Sequence, residues 1–447
     1  MSNLIAANNM IAVVGTGVSG LSAARFLRDK KIPFVLFDTR EVPPAQAVIA
    51  TEFAQVHCEF GVWDEALLQS ASEIILSPGL PLSTAAIAAA REAGVAVIGD
   101  VELFVRYAKA PIVAITGSNG KSTVTTLVAE MAKAAGIKVA VGGNLGTPVL
   151  QLLDDQVQLY VLELSSFQLE TLNSLAAEVA CLLNVSADHL DRYAGMAAYR
   201  AAKQRIYKNA RHLVVNRDDP LTQPCASGAG NVSSFGTEAD VKNMALQEQD
   251  GDYWLCDGSQ ALMLACELKL PGKHNMANAL AALAIGKAVG LTHQQMLPVL
   301  RSFKGLAHRC QWVATSAGVT YYNDSKGTNV GATVAAINGL AQDGKKLIVI
   351  LGGVAKEQSF SALVPALKAH ARGCVLIGQD AALIAAVLEG ELTYQYADSM
   401  PEAVKKAQAL ALAGDSVLLS PACASLDMFS DYQARGDAFC QAVGRVQ

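Results

Sequence analysis

Four residues in the stretch ITGSNGKST, namely Gly117, Gly120, Lys121 and Ser122, have the types and order needed to hold a phosphate. An apolar strand runs into glycines that let successive backbone N–H groups curl around an anion. The start of the following helix adds partial positive charge, and Lys121 adds a mobile full one. Ser122 is placed to ligate Mg2+. Only two residues separate the glycines, where the common phosphate loop has four, so the generic pattern is not strictly met. A second glycine set, Gly15, Gly17 and Gly20 in VVGTGVSG, also follows a strand and opens a helix, and Asp38 ends the next strand where a ribose-binding acid belongs. That set specifies a helix start suited to a diphosphate without specifying nicotinamide, and close helix-to-sheet packing is its structural alternative. Two nucleotide signatures on one chain suggest a reaction in which ATP drives chemistry on a substrate that is itself a nucleotide conjugate.

Further polar residues fit that chemistry. Glu163 ends the strand LYVLEL, where a carboxylate can hold Mg2+ beside phosphates. His189, in NVSADHLDRY, follows another strand, in the region where open α/β sheets bind ligands. Asn275, Arg309, Asp324 and Lys326 stand in loops or at element ends, where the cations can neutralise phosphate charge and where surface ion pairing is the plain alternative. Lys203, inside the helical pattern AAYRAAKQRIYKNA, reads on its own as a solvated surface charge.

The elements that must position these residues are those of parallel sheets flanked by helices, because short β-branched runs alternate with helical patterns throughout. MIAVV, a glycine turn, the helix LSAARFLRDKK and FVLFD open a first block. After GVAVIGD, KAPIVAITG starts a second, in which Val124, Leu127, Val128 and Met131 give a helix one apolar face. Residues 230 to 270 have lower helical character and several turn signals, and the helical LKLPGKHNMANALAALAIGKAVG closes the block. KLIVILGG, GCVLIG and DSVLLSPA are buried-strand candidates of a third block. With 447 residues, 52% hydrophobic and 17% charged, the chain is expected to fold as two or three globular domains. Its apolar runs fall short of the ~18 residues of a membrane span. The first basic residue is Arg25 and the nine cysteines have no paired or metal-like spacing, so a reducing cytoplasm without a secretory leader is the expectation. A net charge of -5 without a basic block argues against nucleic acid as main partner.

TGSNGKST, LELSSFQL, DHLDRY, KHNMANALAA, HR, NDSKGTN and SPACASLDMF occur in the order seen in the Mur ligase family, which the chain resembles over nearly its whole length. The resemblance is to the D-glutamate-adding branch. It implies three α/β domains: a Rossmann-like UDP-substrate domain (1–99), a central P-loop ATPase domain with a parallel sheet (100–305) and a Rossmann-like C-terminal amino-acid-binding domain (306–447). It implies an ATP- and Mg2+-dependent ligase of peptidoglycan precursor synthesis that joins D-glutamate to UDP-N-acetylmuramoyl-L-alanine through an acyl phosphate, in the cytoplasm and as a monomer. Carried over by motif, Gly117, Ser118, Asn119, Gly120, Lys121, Ser122 and Thr123 would bind ATP phosphates, with Asn275, Arg309 and Asp324 near adenine, γ-phosphate and ribose. Ser122, Glu163, His189 and Lys203 as a carbamate would serve the metal, and Lys121, His189 and Lys203 would be essential to catalysis. Val18, Ser19, Asp38, Thr39, Ser77, Gly79, Asn144 and Lys326 would hold the UDP-substrate. Thr328, Lys356, Ser425 and Leu426 would hold D-glutamate, together with Tyr432, which stands where phenylalanine is associated with close relatives. A folylpolyglutamate synthase-like ligase, whose loop typically reads Gly-Lys-Gly-Ser, and a nicotinamide-dependent oxidoreductase are the alternatives, with a purely regulatory nucleotide-binding module, in which Glu163 and Asp324 need no catalytic geometry, as a weaker third.

Overall fold

A computed structural model of the chain describes residues 10–144, 146–225, 230–270, 272–341, 344–355 and 358–445. Three sheets follow one another along it. The first contains β1 (Ile11–Val14), β2 (Phe34–Asp38), β3 (Cys58–Phe60), β4 (Glu73–Leu76) and β5 (Ala96–Ile98), all parallel, in the order β3-β2-β1-β4-β5. The strand order reverses between β1 and β4, which opens a crevice at their carboxyl ends. The glycine fingerprint divides its work there. A side chain at Gly20 would run into the carbonyl oxygen of Gly15, so Gly20 serves close packing, whereas Gly17 faces open space.

The central sheet has nine strands: β6 (Ile112–Thr116), β7 (Val139–Gly143), β8 (Leu159–Glu163), β9 (Val179–Leu182), β10 (His212–Asn216), β11 (Asn231–Gly236), β12 (Met244–Gln249), β13 (Asp252–Asp257) and β14 (Gln260–Leu264). Their order is β14-β13-β12-β11-β10-β9-β6-β8-β7, parallel from β7 to β12 and antiparallel through the last two. The turn-rich segment 230–270 is thus the strand-built edge of this sheet. Every residue of β6, β8 and β9 is buried, as near-continuous apolar runs in a parallel sheet require. Register sets the site: Ile115 of β6 lies beside Glu163 of β8, and Thr116 beside Leu182 of β9, so three strands end level with one another. The expected apolar face of the helix Lys121–Ala134 is buried at Val124, Leu127, Val128 and Met131, packed with the helix Lys273–Ala288 in one core.

The third sheet contains β15 (Gln311–Ser316), β16 (Val319–Asn323), β17 (Leu347–Gly352), β18 (Ala371–Ile377), β19 (Tyr394–Tyr396) and β20 (Ser416–Leu419), ordered β15-β16-β20-β17-β18-β19. Only β15 runs antiparallel to its neighbour. The loops after β16, β17 and β20 therefore leave the same edge side by side. Residues 303–310, without helix or strand, carry the chain into this sheet.

The first two sheets share a core. Val13, Leu21 and Leu27 belong to the same apolar cluster as Phe104, Tyr160 and Leu162. The helix Asp100–Tyr107 makes the join: Phe104 meets Tyr160 edge-on at 5.0 Å between ring centroids, and Tyr107 meets Phe26 at 4.8 Å. The third sheet is buried by two clusters of its own.

Candidate active site

The loop Gly117–Gly120 leaves β6 and ends at the helix Lys121–Ala134. Gly120 has φ +81, a left-handed conformation in which any side chain would also strike Asn278, so glycine is required on both counts. Residues after β9 fix the loop from beside it. Ser118 N donates to Asn184 O at 2.9 Å, and Asn119 N donates to Asn184 Oδ1 at 2.8 Å. Lys121 folds its Nζ over the loop, donating to Gly117 O at 2.8 Å and Ser118 O at 2.9 Å. The N–H groups of Ser118 and Asn119 are thus spent on holding the loop, while the helix start at Lys121 and a cation converge at one place, two components of an anion site.

Ser122 Oγ donates to Glu163 Oε2 at 2.5 Å, Asn144 Nδ2 donates to Glu163 Oε1 at 2.7 Å, and Arg309 Nη2 reaches from the third domain to Ser122 Oγ at 2.5 Å. Burial raises the pKa of Glu163, but Lys121, Ser122, Asn144 and Arg309 outweigh it and hold the carboxyl below its usual range. His189 has φ +54 and lies edge-on to Phe167, with Nε2 3.6 Å from Asp188 Oδ2. Lys203 departs from the surface charge that its helical pattern suggests. It is 2% exposed, donates from Nζ to Gly117 O at 2.8 Å and lies 4.6 Å from the Tyr199 ring centre. Burial, then repulsion from Lys121, depress its pKa well below that of an ordinary lysine against the pull of Asp188 and Glu163. Among the described residues no three His, Cys, Asp or Glu side chains form a metal cage. A hydroxyl and one ionised carboxylate side by side still suit Mg2+, a hard cation that takes one or two protein carboxylates and completes its shell with water and substrate phosphates.

Two cavities open on this loop and a third adjoins the larger of them. The main one, about 330 Å3, has Lys121, Glu163, His189 and Lys203 on one wall and Lys326, Thr328, Ser425, Leu426 and Tyr432 on the other. A second, about 80 Å3, joins Gly120, Thr123, Asn275, Arg309, Asp324 and Lys326. A third, about 250 Å3, lies between the first and central domains and is lined by Val18, Ser19, Gly79 and Asn144. The main cavity shares Asn144, Ser165 and Phe167 with the crevice and Asn119, Gly120, Arg309 and Lys326 with the small cavity, so the three form one chain.

The structure does not bring every expected residue to a cavity wall. Thr39 is exposed and neither it, Ser77 nor Asp38 lines the crevice. Asp38 is buried, and its carboxylate accepts from Thr16 N at 2.8 Å, Thr16 Oγ1 at 2.6 Å and Arg40 Nε and Nη2 at 2.8 Å each. Burial pushes its pKa up, yet those donors hold it well below the usual carboxylate range. It shapes the glycine turn and presents no free oxygen to a ribose. Lys356 lies outside the described residues. Asp324 is buried and accepts from Ser420 Oγ at 2.7 Å and Cys310 N at 3.1 Å; burial pushes it up to about 6 against those donors and Arg309. Tyr432 turns its ring under Lys326 Nζ, 3.9 Å from the ring centre. Asp188, Tyr199 and Phe167 also line the main cavity and were not singled out by residue type; all three lie within or beside motifs quoted above.

Comparison with known proteins agrees in all three domains. Family models described as the Mur ligase MurD-like N-terminal domain, the Mur ligase middle domain and the Mur ligase glutamate ligase domain match residues 9–99, 115–286 and 308–423. The chain is 52% identical over 443 residues to UDP-N-acetylmuramoylalanine--D-glutamate ligases of Pseudomonas savastanoi pv. phaseolicola and Pseudomonas aeruginosa, covering 99% of each chain. It is 50% identical over 442 residues to one of Nitrosococcus oceani, covering 97% of this chain and 96% of that one. Its fold is that of UDP-N-acetylmuramate-alanine ligase MurC from Thermotoga maritima, with TM-score 0.64 and 18% identity over 98% of this chain and 100% of that one. It is likewise that of MurF ligase from Thermotoga maritima in complex with ADP, with TM-score 0.62 and 16% identity over 100% and 99%.

Proposed function

The chain belongs to the Mur ligase family, and from that premise we propose how its residues share the work of an ATP-dependent ligase that adds D-glutamate to UDP-N-acetylmuramoyl-L-alanine. The observation that carries the assignment of sites is the chain of three cavities with the phosphate loop at its centre. The crevice takes the UDP end of one substrate, the small cavity takes adenosine, and both reactive ends meet in the main cavity. Boundaries at 99/100 and 305/306 separate the three domains, and the enzyme works as a cytoplasmic monomer.

A carboxylate is a poor electrophile, so the γ-phosphoryl group passes first to the terminal carboxylate of the L-alanyl substrate, giving an acyl phosphate and ADP. The amine of D-glutamate then attacks the acyl carbon. The C–N bond forms, the bond from carbon to the phosphate oxygen breaks, and phosphate leaves with the one proton that the neutral amine gives up, the other N–H remaining in the amide. Lys121 and Arg309, with the helix start at Lys121, hold the charge that moves between ATP and the acyl oxygen, where fixed donors act without reorganising. Ser122, Glu163 and His189 would hold Mg2+, which when bound draws charge from the transferring phosphoryl group. The depressed pKa of Lys203 leaves its amine able to take up CO2, and a carbamate there supplies the oxygens that the cage lacks. A 13C-bicarbonate carbamate signal that is present in wild type and lost in Lys203→Ala tests this; wild type without the signal refutes it. Asn275 and Asp324 contact adenosine and Val18, Ser19, Gly79, Asn144 and Lys326 the UDP-substrate, while Asp38 holds the glycine turn through Thr16, and Thr39 and Ser77 stand outside the crevice wall. Thr328, Lys356, Ser425, Leu426 and Tyr432 hold the incoming amino acid.

Asp38 argues against the oxidoreductase alternative, since its carboxylate is already engaged by Thr16 and Arg40. Phosphate release from ATP, measured with each of the two co-substrates omitted in turn, tests the reaction. Release is expected only when both are present, and ATP hydrolysis indifferent to D-glutamate would overturn it.

A further inference from the structure

Asn329 is 3% exposed and stands between two domains. Its Oδ1 accepts from Ala332 N at 2.8 Å, capping the helix Val330–Leu340 of the C-terminal domain. That bond fixes which end of the amide is oxygen, so the nitrogen must face the other way. Nδ2 donates to Asn119 Oδ1 of the phosphate loop and to Asp188 Oδ2 of the segment after β9, each at 3.2 Å. Both amide hydrogens cross the seam, while the amide oxygen stays at home.

The same helix start is wired to the loop after β20. Val330 N donates to Gln358 Oε1 at 3.0 Å, and Gln358 Nε2 donates to Ala422 O at 2.6 Å, three residues before Ser425. A hydrogen-bonded path thus runs from the phosphate loop through Asn329 and Gln358 to the loop read above as the amino-acid site. We propose that Asn329 is a positioning residue that sets where the C-terminal domain presents the attacking amine over the phosphate loop. The proposal rests on the ligase reading. It goes beyond it by assigning register between the two domains to one amide that touches no reacting atom.

Asn329→Asp is the sharp test. Aspartate keeps the shape and the helix cap, but it turns two donors into acceptors facing the Asp188 carboxylate and the Asn119 carbonyl. Because a misplacement of about 1 Å can cost about a hundredfold in rate, kcat is expected to fall ~30- to 100-fold and KM for D-glutamate to rise ~10-fold. The ADP dissociation constant should stay within about twofold because the loop is intact, and assays well below the Tm of each variant separate register from the stability that a second buried carboxylate beside Asp188 costs. Asn329→Asp combined with Asp188→Asn restores the donor to acceptor pair between positions 329 and 188, though not the one to Asn119, at unchanged net charge, and is expected to recover kcat in part, by at least ~3-fold, since Asp188 also faces His189. Small-angle scattering of the ADP-bound protein gives a readout independent of turnover: Asn329→Asp should be more extended than wild type, and the double variant should return toward the wild-type radius of gyration. Wild-type kcat and radius in the single variant would overturn the proposal, as would loss of activity traced only to a lowered Tm, or a double variant no better than the single in either readout. Failure of the ligase reading would appear separately, as wild type without ligase activity, and scattering would still decide the role of Asn329.

Discussion

The two seams that join the three domains are built from opposite materials. Between the first and central domains the join is a continuous apolar core, in which Phe104 is fully buried against residues of both sheets. Polar contacts reinforce it: Arg192 donates to Pro78 O at 2.7 Å and Leu80 O at 3.2 Å, pairs with Glu170 at 3.0 Å and lies 4.0 Å from the Phe167 ring centre. Between the central and C-terminal domains no apolar core among the described residues is shared; the join combines directional bonds from Asn329 and Arg309 around a cavity with the close approach of Gly339 to Gly272 and His274. Apolar burial is large and indifferent to angle, whereas each hydrogen bond nets only about 0.5–1.5 kcal/mol and demands geometry. The first seam therefore joins two domains firmly around a substrate crevice, and the second holds its partners by geometry around the main cavity.

Four experiments can break that comparison or sharpen it. Lys121→Ala should lower ligase turnover by at least ~1000-fold, a loss of the size that follows removal of a fixed charge at a reacting phosphate. Calorimetric affinity for UDP-N-acetylmuramoyl-L-alanine should be unchanged, because that crevice lies at the other seam; a parallel loss of both would merge the two sites. Phe104→Ala should destabilise the protein by about 3–5 kcal/mol, as large-to-small changes in packed cores do. Calorimetry should show one lowered transition for the first two domains, and an unchanged profile would mean that the apolar seam is not a shared core. Arg192→Ala removes charged hydrogen bonds of about 1.5–3 kcal/mol and should raise KM for the UDP-substrate roughly 10-fold with KM for ATP unmoved. Equal changes in both KM values would contradict a local role at the first seam.

The smallest effect concerns pH. With Asp324 near 6, its carboxylate is mostly ionised at pH 8 and mostly protonated at pH 5, so ADP affinity should weaken by about 10-fold over that range. Asp324→Asn should flatten the profile, and a wild-type profile that is already flat would remove Asp324 from the nucleotide site. The stability sign is the reverse of the usual carboxylate. Because the folded pKa lies above the unfolded one, this group favours the folded state most below about pH 4 and loses that contribution as pH rises through about 6.

The fold was legible where periodicity carries it. Short, β-branched apolar runs such as IVAIT and LIVILG, each ending in glycine, read as buried parallel strands by their length and flanks. Within the site, the phosphate loop was legible because its chemistry is local in sequence. Lys203 was not, since its helix buries Tyr199, Ala202 and Lys203 together, and a lysine beside an apolar stripe looks solvated until Gly117 and Tyr199 are known to cover it. Asp38 sat at the expected strand end, but nothing in a one-dimensional pattern shows that Thr16 and Arg40 already occupy its oxygens. The pairing of Asn329 with Asp188 spans 141 positions and obeys no period, so only the folded chain reveals it.

The segment 303–310 carries a consequence of another kind. A handful of polar contacts could not hold two separate proteins together in dilute solution, but a short covalent tether converts their meeting into an intramolecular event at an effective concentration on the order of millimolar. Severed there, the C-terminal domain would be expected to drift away while keeping its own core, and the remaining two domains would keep their grip on each other. The chain thus obtains from its own continuity the avidity that the second seam lacks.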